Sequence, residues 1–115
     1  MKIAVPTNEG ELVAEHFGRC MFYACFDGDG NSIGRFENTS SHMGGKGLPP
    51  EVLRKNKADI LLCKDLGPNA VRLCDEAGIV VYKDAEATTI QKIILDYLSG
   101  NLVKADSNSG CESHQ

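Results

Sequence analysis

The stretch DILLCKDLGPNAVRLCDEAGIVVY, residues 59–82, carries the topology of the chain. DILLC is a short apolar run of strand character, and KDLG is a tight connection. PNAVRLCDEAG reads as a helix, with proline near its start and glycine just beyond its end. IVVY is a second apolar strand. A helix between two such strands implies a parallel pair, because the chain must travel back along the sheet before the second strand begins. The centre of the protein is therefore predicted to be α/β.

Working outward, KIAV at residues 2–5 reads as a buried strand stopped by Pro6. CMFYACFD at residues 20–27 is aromatic and apolar, and reads as the next strand. The turn formers DGDGN follow, and SIGRFEN at residues 32–38 returns as the second arm of a hairpin. In that arm Ile33, Arg35 and Glu37 alternate with Gly34 and Phe36, so one face is at least partly wet. The hairpin, residues 20–37, is expected at one side of the sheet. TSSHMGGKGLPP is a loop, and EVLRKNK a short helix with Pro50 in its first turn. Thr88 and Gln91 form a T-x-x-Q capping box, and Ile90, Ile93, Ile94, Tyr97 and Leu98 follow as one buried helical stripe closed by Gly100. The order is β-β-β-α-β-α-β-α, a three-layer α/β/α sandwich around a mixed five-stranded sheet. Residues 1–103 form one domain, and residues 104–115, polar and rich in small side chains, form a mobile tail.

Composition narrows the function. The chain has 115 residues, 42% hydrophobic and 24% charged, which suits one domain with its own core. The net charge of -4 and the lack of any Lys/Arg run argue against nucleic acid as a partner. No apolar run approaches the roughly 20 residues of a membrane span. MKIAVPTNEG lacks the apolar core of a signal peptide, so a cytoplasmic protein without membrane attachment is expected. Five cysteines, Cys20, Cys25, Cys63, Cys74 and Cys111, occur with no CxxC, which disfavours a disulfide framework, a zinc ribbon or a thioredoxin motif.

Ligands of open α/β sheets gather beyond the carboxyl ends of the strands. Three loops are expected there: the one after Val5, the one bearing His42, and the one after Cys63. His16 and Cys20 in VAEHFGRC stand four residues apart, and imidazole and thiolate together suit borderline and soft metals, including iron in clusters. The plainer alternative is a turn histidine and a packed strand cysteine. Cys63 closes a buried strand at its carboxyl end, which makes it a ligand candidate, although a free cysteine is often a small core hydrophobe. Cys25 and Cys74 read as core. SHMGGKG lacks the spacing of a phosphate loop and reads as a flap carrying His42 and Met43. Cys111 and His114 in the tail form a CxxH pair that can bind metal transiently, or are simply part of an inert terminus. Catalytic sets are poorly placed: the first strand carries no carboxylate for a two-metal nuclease, and Asp65 has no acidic partner for a phosphoreceiver site.

KIAVPT, EHFGRC before an aromatic strand, the His/Gly-rich loop and LGPNAVRLCDEAGIVVY together resemble the dinitrogenase iron–molybdenum cofactor biosynthesis family, over residues 2 to about 103. The resemblance implies a ribonuclease-H-like fold without nuclease activity, and a non-enzymatic role. It implies binding and transfer of iron–sulfur or molybdenum–iron–sulfur cluster precursors, held labile and passed to metallocofactor assembly proteins by a monomer or weak homodimer. His16 takes its cluster-binding part from the matching EHFG, and His42 from its place in the His/Gly loop. Cys20 and Cys63 join His16 as metal ligands on their chemistry alone. Few ligands suit a carrier that must release its cargo, and loop glycines let backbone N–H groups approach cluster sulfides. A regulatory domain binding a nucleotide or small anion at the DLGPN helix start is the alternative.

Overall fold

A computed structural model describes residues 1–40 and 47–105. Among these residues six strands and three helices follow in the order β1 (Ile3–Thr7), β2 (Phe22–Phe26), β3 (Ser32–Glu37), α1 (Pro49–Lys55), β4 (Ile60–Cys63), α2 (Pro68–Glu76), β5 (Val80–Lys83), α3 (Ile90–Leu98) and β6 (Val103–Ala105). They form one mixed sheet in the order β3-β2-β1-β4-β5-β6. β1, β4 and β5 run parallel, and β2, β3 and β6 pair antiparallel to their neighbours.

The predicted hairpin lies at one side of the sheet, as β2 and β3. Asp27 closes its turn: one carboxylate oxygen accepts from the amides of Asp29 and Asn31, both at 2.9 Å. Gly30, at φ +89°, completes the turn against α3, where a Cβ would stand 2.7 Å from Leu98 Cδ1. β3 is mostly exposed, and its register slips where Cys25 faces Gly34 but Phe26 faces Ser32, leaving Ile33 as a bulge.

Every residue of β1 and β4 is buried, as strands covered on both faces must be. Side-chain alternation divides them between two cores. Ala4, Leu61, Cys63 and Val81 point to one face, where Val52 and Leu53 of α1 and Val71 and Cys74 of α2 pack. Ile3, Val5, Ile60 and Leu62 point to the other, against Ile90, Ile93 and Ile94 of α3. Helices therefore cover both faces of the sheet.

Three expectations need correction. The sheet has six strands, not five: β6 pairs with β5 and buries Ala105, although its sequence, VKA, is too short and polar to announce a strand. Lys104 and Ala105, the first residues of the expected tail, belong to β6. The rest of the expected tail, residues 106–115, lies outside the described residues. Pro6 does not stop β1 but pairs with Tyr23 inside it. Its carbonyl accepts from Ala14 N at 2.8 Å, so its nitrogen also faces away from β2, where pairing with β4 has already ended at Ala4. The β1–β2 ladder therefore loses no hydrogen bond to the proline. Finally, α3 is capped by Thr89 rather than Thr88: the Thr89 hydroxyl accepts from Lys92 N at 3.1 Å. Thr88 lies outside the helix, its carbonyl accepting from Val13 N at 3.0 Å, and the helix starts one residue later.

Cys20, Cys25, Cys63 and Cys74 are free and buried. Burial pushes the Cys20 thiol up to about 11 and those of Cys63 and Cys74 up to about 12. Cys20 donates to Phe17 O at 3.4 Å, which only partly offsets its loss of water.

Three outcomes follow from this packing. Thr89→Ala is expected to cost about 1 kcal/mol in chemical denaturation, the usual worth of an N-cap, and Thr88→Ala under about 0.5 kcal/mol. With Cys111 replaced by serine, the folded protein should leave the four buried thiols unreacted toward a chromogenic disulfide reagent, and release all four on unfolding. Because their folded values lie above the free-thiol value of about 8.5, the stability they contribute is full below that pH. It is lost as pH rises toward 11 and 12, and a falling melting temperature over that range in reducing buffer would report it.

Candidate functional site

The loop from β1 to β2 is pinned at both ends. Val13 bridges Thr7, the Thr7 hydroxyl donates to Leu12 O at 2.9 Å, and Leu12 bridges Thr89. Val13 then enters one core and Ala14 the other. Three residues on, Phe17 is buried against Tyr23, with ring centroids 6.1 Å apart. The Phe17 carbonyl accepts from Tyr23 Oη at 2.9 Å, and the Asn38 amide donates to Gly18 O and Cys20 O, each at 2.9 Å. Between the anchors Ala14 and Phe17 only two side chains are left outside, Glu15 and His16. Their exposure is thus a consequence of what is buried on either side.

Both open onto a cleft of about 810 Å³. Its other walls come from Leu48, Pro49 and Pro50 at the start of α1, from residues 64–67 after β4, from the first turns of α2, and from Ala85 after β5. The cleft therefore occupies the carboxyl ends of the parallel strands, where the order of connection changes direction. Leu48 closes the start of α1 with its amide, which donates to Glu51 Oε1 at 2.9 Å. α2 begins at Gly67 with Pro68 in its first turn; Asn69 and Ala70 there line the cleft.

The polar groups are mostly charged. Lys64 Nζ stands 2.9 Å from Glu15 Oε2, and this hydrogen-bonded ion pair holds the Glu15 carboxyl below its ordinary range. Asp65 accepts from the Leu66 amide at 2.8 Å and lies 3.8 Å from Lys83 Nζ. Arg19 adds a second cation to the lining. Phe17, Leu48, Leu66, Ala70, Leu73 and Ala85 supply apolar wall.

Of the expected ligands, His16 stands exposed in the cleft. Cys20 and Cys63 do not line it. Both lie in the buried cluster that also contains Phe17 and Leu66, which do form its wall, so the thiols sit behind that wall. His42 lies outside the described residues, as do Cys111 and His114; the chain resumes at Gly47 and meets the cleft at Leu48. Among the described residues no group of three or more His, Cys, Asp or Glu side chains is placed to hold a metal ion.

Sequence reasoning missed Lys64, Arg19 and Glu15. It searched for soft donors, and a lysine following a strand carries no mark of its role. The one available signal was position: Lys64 directly follows the carboxyl end of β4, and Glu15 directly precedes His16.

Solved structures resemble the chain over most of its length. The apo form of the orange protein from Desulfovibrio gigas is 27% identical with a TM-score of 0.73, covering 90% of this chain and 92% of that one. An NMR structure from Thermotoga, of a protein described under the name NifB and assigned to the DUF35 family, is 26% identical with a TM-score of 0.71, covering 90% and 91%. No curated protein matches the chain. The family model for dinitrogenase iron-molybdenum cofactor matches residues 1–100, nearly all of the described fold, and the chain belongs to that family.

Proposed function

We propose that the protein binds iron–sulfur or molybdenum–iron–sulfur cluster precursors in the cleft and hands them on during metallocofactor assembly, as a carrier and not an enzyme. The observation that carries this reading is His16, an exposed imidazole held at a cleft whose other polar groups include the cations Lys64 and Arg19. Metal–sulfide clusters are commonly anionic and present sulfide surfaces. Cations balance their charge, apolar wall tolerates sulfide, and backbone amides can donate to it. One imidazole with such surroundings retains a cluster without enclosing it.

The donor set fits a labile cargo better than a resident centre. Cys20 and Cys63 remain proposed ligands, but recruiting either means drawing a thiolate from the core. A metal offsets that cost only by binding the thiolate directly, as coordination deprotonates a thiol outright. His16 is therefore the first contact we assign; Cys20 joins only if the segment from Phe17 to Cys20 opens, and Cys63 only if the cover of Leu66 and α2 shifts. His42 is proposed as a further contact from the loop that precedes Leu48.

A nuclease role has little support on this scaffold, which we read as ribonuclease-H-like with a sixth strand added. β1 is IAVPT and β4 is ILLC, so neither central strand carries a carboxylate for metal-assisted phosphate chemistry. Among the described residues no helix is long and apolar enough to cross a membrane. We propose that the protein works in the cytoplasm, between assembly proteins that supply and accept the cluster.

Anaerobic reconstitution with iron, sulfide and molybdenum tests the assignment. Wild type is expected to acquire visible absorption and bound metal. His16→Ala should lose most of its retained metal on gel filtration while keeping its melting temperature, because the side chain is exposed and outside the core. Equal retention by the two proteins would remove His16 from the site. Uptake by neither, with thermal stabilisation by a nucleotide instead, would favour the anion-binding alternative at the start of α2.

A further inference from the structure

We propose that Glu15 is the resident counter-anion of the cleft: it occupies Lys64 until a multiply charged metal–sulfur anion displaces it, and so discriminates among cargoes by charge. This rests on the reading of the cleft as the cargo site. The argument lies in the asymmetry of the pair. The Lys64 side chain is only 18% exposed, whereas that of Glu15 is 75% exposed. A lysine whose stem is packed in this way keeps its ammonium in place at the cleft. A carboxylate already surrounded by water gives up little when it lets go.

The surrounding chain keeps the cation fixed and the anion detachable. Lys64 directly follows β4, whose last residue, Cys63, is buried. Glu15 lies between Ala14 and Phe17, both buried, so its backbone stays in place while its side chain rotates into solvent. The neighbouring acid does not compete for Lys64: Asp65 is engaged with the Leu66 amide and lies nearer Lys83. Exchange therefore leaves Lys64 with one anionic partner before and after. A singly charged anion merely replaces what Glu15 already provides. An anion of higher charge gains more from Lys64 and also meets Arg19 on the same wall.

The test is an anaerobic equilibrium titration with tetrathiomolybdate, a coloured molybdenum–sulfur dianion, followed by its visible absorption. Four proteins are compared: wild type, Glu15→Gln, Lys64→Met and the double variant. Methionine suits the part-buried stem of Lys64, and melting curves establish that each protein is folded. Glu15→Gln is expected to bind about two- to fivefold more tightly, the range an ion pair of this exposure supports. Lys64→Met should bind more weakly, and in its background the Glu15 change should have no effect. An unchanged or weaker Glu15→Gln overturns the proposal and leaves the cargo site standing. The same gain with and without Lys64 also overturns it, because net charge alone then accounts for the effect. Failure of all four folded proteins to take up the probe removes the cargo reading itself, and the role of Glu15 with it.

Discussion

β1 and β4 are held side by side through two residue pairs, Ile3 beside Ile60 and Ala4 beside Leu61, and then part. Beyond that point β1 continues with β2 as its neighbour, and β4 continues with β5. The parting is forced by connection. The chain leaves β1 toward the hairpin and leaves β4 toward α2, so the two exits diverge. Residues 13 and 14 return to fill the space beside β1, through the Thr7–Val13 bridge and the Ala14–Pro6 hydrogen bond. What they leave open is the cleft. Two pairs suffice because both strands are covered on both faces, and burial rather than the length of the ladder keeps them together.

The same burial decides which side chains can do chemistry. Phe17 and Cys20 are drawn into the core on one side of His16, and Ala14 on the other. A thiol so placed is inert, and an imidazole between such anchors is presented. Reactivity in the loop is thus set by where the apolar residues fall. The soft ligand par excellence by chemistry, cysteine, is the less available one by position.

Much of this could be read from residues alone. The strand–helix–strand pattern of residues 59–82 implied the parallel strands, DGDGN implied the hairpin, and the isoleucine stripe implied α3 packed against the sheet. β6 escaped because three residues ending in one buried alanine have no period to detect. The cap of α3 was misplaced by one residue because two threonines stand together, and only contacts made on folding, such as the bridge between Leu12 and Thr89, distinguish them. At the cleft, His16 was singled out from its motif and Lys64 was not. A motif is written along the chain, whereas the Glu15–Lys64 pair spans 49 residues and exists only after folding. The burial of Cys63 was within reach, since a fully apolar strand such as ILLC is covered on both faces, but its terminal position suggested access that Leu66 and the packing of α2 deny.

The sheet is open, and an open sheet has two borders at which another chain could add itself. β3, on one side, is mostly exposed, yet its straight run is broken by the bulge at Ile33 and by Gly34 at φ +116°. Arg35 and Glu37 follow on the same strand, Arg35 lying 4.0 Å above the Phe22 ring. β6, on the other side, is three residues long and carries Lys104 at its centre. Among the described residues neither border offers a long, flat, uncharged template. Edge-to-edge growth of native molecules through these two strands is thereby disfavoured.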